Sequence, residues 1–373
     1  MLTTDQSYVL TLLRESLGVQ EKKESTFTEA HEVINIIQRN SILPTVFQQL
    51  PDELKNTLRG AYYTVVMQAV NQQQEGLRIL KALSEAGFVC IALKGWELQK
   101  LYPGRNMRQM ADLDILVKPY EFLEIKKVMD TLGFSGGSGA SWKHDSFWKN
   151  AVHVEMHKRL TDDSGAIQTW EKSLWERTSP VENNIYRMSP EDYYIFHFVH
   201  LHKDFLNGSL GLRRIVDTWL LQKQPLNMDV VRSYLESFGM WRFHERMVKL
   251  SRVAMGEEEL DEDTELLLKH AFKHGIYGSG KSYKAGRIVL MGESLEKGKL
   301  KSKVAAILLP YNRMKAQFPI LEKWPVLLPY CWGKRIVHYL NKNKRKSLNM
   351  LNYKEITKAD FEEMRRLYEA GGI

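Results

Sequence analysis

Ala111-Asp112-Leu113-Asp114-Ile115-Leu116-Val117 places two carboxylates at i and i+2, directly ahead of an apolar, β-prone run. Side chains alternate faces along a strand, so Asp112 and Asp114 point the same way. Two acids on one face repel each other. A divalent cation between them is the simplest way to keep both ionised. The same residues also describe an exposed strand end with two solvated acids, so the flanking sequence has to decide.

Upstream, 88–93 reads as a short buried strand that Lys94-Gly95 ends, and 97–101 has helical spacing. A strand that passes through glycine into a helix exposes backbone N–H groups, a natural seat for phosphate, and Lys94 adds positive charge there. The loop 102–110 carries Arg105 and Arg108. Arg108 stands four residues before Asp112, and its planar fork suits the acids or phosphate oxygens. Residues 120–132 read as an amphipathic helix that Gly133 closes, and 133–139 as a flexible, glycine-rich turn. Further on, Val152-His153-Val154-Glu155-Met156-His157 alternates strictly, so His153, Glu155 and His157 share a strand face. If that strand lies beside the first, Glu155 joins Asp112 and Asp114. Three carboxylates can then hold two Mg²⁺ (or Mn²⁺) ions around a nucleoside triphosphate. His153 and His157 suit Mg²⁺ poorly as imidazoles and read as bordering or structural residues.

The order Leu93-Lys94-Gly95, Arg108, Asp112-x-Asp114 and Val154-Glu155-x-His157 resembles the polymerase-β-like nucleotidyltransferase superfamily. More closely, it is similar to the bacterial family of uncharacterised nucleotidyltransferases. The resemblance covers most of the chain from about residue 50 and takes in 197–202, 211–219 and 318–332. It implies a nucleoside triphosphate substrate, ATP or another, held at Gly95, the turn glycine, beside which Lys94 and Arg108 add positive charge. It also implies Asp112, Asp114 and Glu155 as the catalytic, metal-binding acids. Trp96 follows Gly95, where the wider superfamily carries Ser or Gly.

The 373 residues are 43% hydrophobic and 26% charged, as expected of a folded globular chain with a sizeable core. The formal net charge of +8 is compatible with an anionic substrate. Cys90 and Cys331 read as reduced, buried thiols of a cytoplasmic protein. The N-terminus lacks the pattern of a secretory signal, and no apolar run approaches bilayer-spanning length. Helical patterns over 1–87, with Thr28 as an N-cap, lead into an α/β region over 88–188 that holds the candidate chemistry. Helices return over 189–373, at 191–203, 212–222, 229–238 and 262–273, the first with Ser189 at N-cap and Pro190 at N1. The expected fold is α+β: a small mixed β-sheet core flanked by N-terminal and C-terminal helical regions.

Several signals point elsewhere. Gly275 to Ser282 matches the phosphate-loop pattern G-x4-G-K-[ST] letter for letter, but a helical pattern precedes it where a strand is required. It reads as a mobile glycine-rich loop. His197, His200 and His202 read as helix packing or cleft lining, and Asp217 as an ion-pair partner of Arg213 and Arg214. Lys334, Arg335, Lys342, Lys344, Arg345 and Lys346 form a basic segment, either a solvated face or a contact for nucleic acid or anionic lipid. The expected function is metal-dependent transfer of a nucleotidyl group to an acceptor, which is a small molecule, RNA or a protein. The other readings are an inactive nucleotide sensor or interaction scaffold, and a nucleic-acid-binding protein that uses the basic segment. The residues select neither the acceptor nor an oligomeric state.

Overall fold

Seven strands form one mixed sheet: β1 (Cys90–Ala92), β2 (Leu113–Val117), β3 (Ser135–Gly136), β4 (His144–Lys149), β5 (Val152–His157), β6 (Ser179–Glu182) and β7 (Ile185–Arg187). Their order is β3-β4-β5-β2-β1-β7-β6. The computed structural model describes the chain except Lys23, Ala140, Trp142, residues 162–164, Glu293 and residues 338–351. Lys342, Lys344, Arg345 and Lys346 of the basic segment therefore lie outside the described residues. The chain divides into two compact units. One comprises residues 1–203, 210–277 and 370–373, the other 204–209 and 278–369.

In the first unit β2 is central, antiparallel to β1 and parallel to β5. The pleat sends Leu113, Ile115 and Val117 of β2 into a core with Val152, Val154 and Met156 of β5 and Phe147 of β4. Helices α4 (Asp52–Glu85) and α6 (Phe122–Thr131) supply the other side of that core. Ile79, Leu80 and Leu83 project from α4, and Phe122, Ile125 and Met129 from α6, each set at helical spacing. Both layers follow from local periods that the sequence displays.

Before the sheet come α1 (Thr4–Ser16), α2 (Ala30–Arg39) and α3 (Leu43–Val46). Thr28 does not cap α2. Glu29 holds that position, and the Thr28 N–H donates instead to Asp5 Oδ1 at 2.6 Å. The 133–139 segment is more than a flexible turn, since it contains edge strand β3. Gly136 lies at φ +116°, and a Cβ there would fall 2.3 Å from the Ser146 carbonyl oxygen. The Gly139 N–H and the Ser138 hydroxyl both donate to Asp145. Helix α7 (Ala166–Lys172) leads from β5 to the β6–β7 hairpin, which turns through Asn183 at φ +46° and which the sequence reading does not resolve.

After the sheet, α8 (Pro190–Leu206) starts as expected, with Ser189 Oγ accepting the Asp192 N–H at 3.0 Å. It is followed by α9 (Leu212–Gln222), α10 (Met228–Ser237), α11 (Trp241–Met255) and α12 (Glu262–His274). Of α8 to α12, α11 alone is absent from the sequence reading, as are the helices beyond α12.

The second unit contains α13 (Gly280–Met291), α14 (Leu295–Ile307), α15 (Tyr311–Gln317) and α16 (Ile320–Lys323). Met314, Leu321 and Cys331 form a small core there. Ser279 caps α13: its hydroxyl accepts the Ser282 N–H at 3.0 Å, and its own N–H donates to Ser282 Oγ at 3.1 Å. The match to a phosphate loop is thus partly a capped helix start, not a mobile loop, and α12 stands where a strand would be required. Cys90 and Cys331 are free and buried. Among the described residues, no helix is long and apolar enough to cross a membrane.

Candidate active site

The parallel β2–β5 register sets Asp114 beside Glu155 and Leu116 beside His157. The pleat that buries Leu113 and Ile115 therefore puts Asp114, Glu155, His153 and His157 on the opposite face. Asp112 precedes β2 by one residue. β4 adds to this face from the far side of β5, with His144 opposite His157 and Trp148 opposite His153.

Lys94 Nζ donates to Asp114 Oδ1 at 2.9 Å, and His157 Nε2 lies 2.7 Å from the same oxygen. His157 Nε2 is also 3.3 Å from Glu155 Oε2, and His144 Nε2 is 3.5 Å from Glu155 Oε1. Burial alone would push the Asp114 carboxyl up, but Lys94 and His157 outweigh it and hold Asp114 far below the ordinary range. Burial likewise opposes the charged forms of Lys94 and His157, and Asp114 more than reverses this, so both are shifted up. His157 holds Glu155 down. Asp112 goes the other way: burial and the neighbouring Asp114 push its carboxyl up. The face thus carries two well-compensated acids and one uncompensated acid.

Lys94 sits at φ +41° and ψ −114°, a conformation that side-chain-bearing residues rarely adopt. Two bonds hold it. The Tyr193 hydroxyl of α8 donates to the Lys94 carbonyl, and the Leu93 N–H donates to the Asp114 carbonyl at 2.9 Å. Gly95 is required by close approach: a Cβ there would lie 2.7 Å from Met110 Sδ and 2.9 Å from Arg108 Nη1. Trp96 is a packing residue. A Cβ on Gly76 of α4 would fall 2.4 Å from its ring. Its N–H donates to the Leu93 carbonyl at 3.1 Å, so that donor is engaged within the turn. The helix that follows, α5 (Gly95–Leu98), is only about one turn long and contributes little dipole.

Arg108 lies on Asp217 of α9. Its Nε and Nη2 donate to Oδ1 and Oδ2, both at 2.7 Å, and Tyr102 Oη donates to Oδ1 at 2.9 Å. Arg108 is 4% exposed and Asp217 0%. The bidentate partner of Asp217 is therefore Arg108, where the sequence suggested Arg213 or Arg214. With its fork on Asp217, Arg108 anchors the 102–111 loop. Thr45 Oγ1 also grips this loop at the Met107 carbonyl, Gln72 Nε2 at the Ala111 carbonyl, and Arg213 at the Gln109 carbonyl. Asp112 projects from the end of this clamped segment.

His197 bonds Thr218 Oγ1 at 2.8 Å, and His202 packs edge-on against Phe243. Burial lowers them to about 3 and about 4, so both are neutral packing groups. His200 approaches Lys94, and burial together with that charge keeps its imidazole neutral.

Two sets of potential metal donors occur among the described residues. Asp112, His153 and Glu155 offer atoms within 4.8 Å of one another, and so do His144, Glu155 and His157. The donors present fit a divalent cation, with Asp112 and Glu155 as its oxygen ligands and imidazoles completing each set. A cavity of about 380 Å³ is lined by Ala92, Glu97, Lys100, Arg187 and Tyr193 among others, and by none of Lys94, Asp112, Asp114 and Glu155.

Acids from neighbouring strands beside a lysine-bearing turn are the arrangement expected of a nucleotidyl-transfer site. A family model described as uncharacterised nucleotidyltransferase matches residues 25–256, more than half the chain, and the chain belongs to that family. No curated protein and no solved structure matches it. The membership supports a role in nucleotidyl transfer in general terms.

Proposed function

We propose that this chain moves a nucleoside monophosphate from a nucleoside triphosphate to an acceptor hydroxyl or phosphate. The observation that carries the reading is the β2–β5 register, which puts Glu155 directly beside Asp114 on the face that also bears Lys94 and Asp112. Asp112 and Glu155 would hold the divalent cation, and Asp114, whose Oδ1 accepts from Lys94, would add its charge beside them. When bound, that ion supplies charge neutralisation at the triphosphate and a more acidic acceptor hydroxyl. Glu155, half-buried and on the rim of the cluster, accepts the acceptor proton. Lys94 sits between Asp114 and the Gly95 turn, where its ammonium meets the phosphates. Arg108 acts through the loop it anchors and is given no phosphate contact.

The test is pyrophosphate release from a panel of NTPs with Mg²⁺ or Mn²⁺, in wild type and in Glu155→Gln. Release that the substitution abolishes supports the transfer. A second reading, nucleotide binding without turnover, is favoured by Trp96, whose backbone donor is spent inside the turn. Saturable NTP binding with no pyrophosphate would select it.

A further inference from the structure

The strand face that carries the acids also carries three imidazoles, and the sheet register rather than chance gathers them. His144 lies opposite His157 and Trp148 opposite His153 across β4 and β5, with Glu155 between the two levels. Asp114 belongs to neither donor set found among the described residues, its Oδ1 being taken by Lys94 and His157. We propose that Glu155 is the shared ligand of a nitrogen-containing metal centre, with His144 and His157 on one side and Asp112 and His153 on the other. Such a centre takes Mn²⁺ or a later first-row divalent ion in preference to Mg²⁺.

The chemistry of the donors sets that preference. Mg²⁺ requires near-ideal octahedral oxygen ligation and sheds water reluctantly. Imidazole nitrogen favours the transition ions, increasingly so along the series from Mn²⁺ to Cu²⁺. The geometry is that of oriented ligands. His157 Nδ1 lies 3.4 Å from the Arg159 carbonyl oxygen and Nε2 faces the carboxylates, and Nε2 ligates the ion by giving up its proton and its 2.7 Å bond to Asp114 Oδ1. A metal-binding histidine is commonly oriented by just such an outer hydrogen bond. His144 and His157 approach different oxygens of the one Glu155 carboxylate, at 3.5 and 3.3 Å. Their ring centroids are 5.0 Å apart. On the other side, Trp148 stacks on His153 with centroids 5.1 Å apart and planes 10° from parallel, which fixes the imidazole plane. His153 Nε2 is buried and has no hydrogen-bond partner among the described residues. A purely structural ion-pair network accounts for His157 and for the His144–Glu155 contact but leaves the buried His153 Nε2 unsatisfied.

The centre shares the site of the proposed transfer, but its test does not depend on turnover. Mn²⁺ is titrated into the full chain and the bound ion read by pulsed electron paramagnetic resonance for ¹⁴N coupling. The expected result is imidazole coupling that weakens in His144→Gln and in His153→Gln and weakens further in the double variant. Calorimetry should show Mn²⁺ binding at least about ten-fold tighter than Mg²⁺, with each substitution reducing Mn²⁺ affinity by about ten-fold or more. Circular dichroism of the variants checks that the fold is retained. Bound Mn²⁺ without nitrogen coupling, coupling of undiminished depth in the double variant, or no Mn²⁺ binding would overturn the proposal. Pyrophosphate release with Mg²⁺ and no nitrogen coupling would refute this donor set and leave the transfer standing. Coupling without release from any NTP would do the reverse.

Discussion

Asp217→Asn tests whether the loop that presents Asp112 is held by a buried ion pair. The substitution keeps the shape of the side chain and removes its charge. In the wild type, Asp217 accepts two 2.7 Å bonds from Arg108 and one of 2.9 Å from Tyr102, with both charged groups shut away from water. The asparagine amide can accept at one position only, and its NH₂ would face an Arg108 donor. Removing one partner of a buried pair strands the other charge, which destabilises by about 3–5 kcal/mol. Burial would raise the Asp217 carboxyl, yet Arg108 brings it down to about 2. A depressed acid contributes stability that is present above the ordinary carboxyl range and lost as pH falls through the folded value. The contribution is roughly 2–3 kcal/mol and disappears between about pH 4 and pH 2. It is smaller than the cost of substitution because protonation leaves a hydrogen-bonding acid in place. Urea denaturation at pH 7 and pH 3 measures both terms. Arg108→Met with Asp217→Leu, which removes both charges, should cost much less than the two single changes added together. A loss below about 1 kcal/mol in Asp217→Asn would show that the pair does not hold the loop.

Three further outcomes follow from the site. Asp112→Asn should lower Mn²⁺-dependent NTP affinity by at least about ten-fold while leaving the urea midpoint of the metal-free protein unchanged or higher. Burial and Asp114 already disfavour the charged form of Asp112, so a lower midpoint would contradict this account. Gly95→Ala should destabilise by about 1–3 kcal/mol, because the new methyl meets Met110 and an Arg108 that Asp217 pins in place; thermal or urea unfolding checks it. Tyr193→Phe should cost about 1 kcal/mol and weaken NTP binding several-fold by removing the tertiary bond to the Lys94 carbonyl, which keeps those from Glu97 and Leu98. Unchanged affinity by calorimetry would argue that the turn does not meet the triphosphate.

What the chain alone determined is what depends on near neighbours. Alternation put Asp112 with Asp114, and His153 with Glu155 and His157, because the strand period is two whatever lies alongside. Helical spacing and the Ser189 cap marked α4, α6 and α8 for the same local reason. Tertiary structure decided which face met which. Sheet order brought Glu155 to Asp114 across 40 intervening positions, and no nearby residue encodes that choice. The same holds for Arg108 on Asp217, Trp96 over Gly76 and Tyr193 on Lys94, pairs joined only by packing of distant segments. The imidazoles show the difference most clearly. Taken singly, His144 draws no notice and His153 reads as a poor magnesium ligand. Only the antiparallel β4–β5 register assembles them around Glu155, because the position of a donor atom in space is set by strand pairing, and strand pairing is won in competition across the whole core.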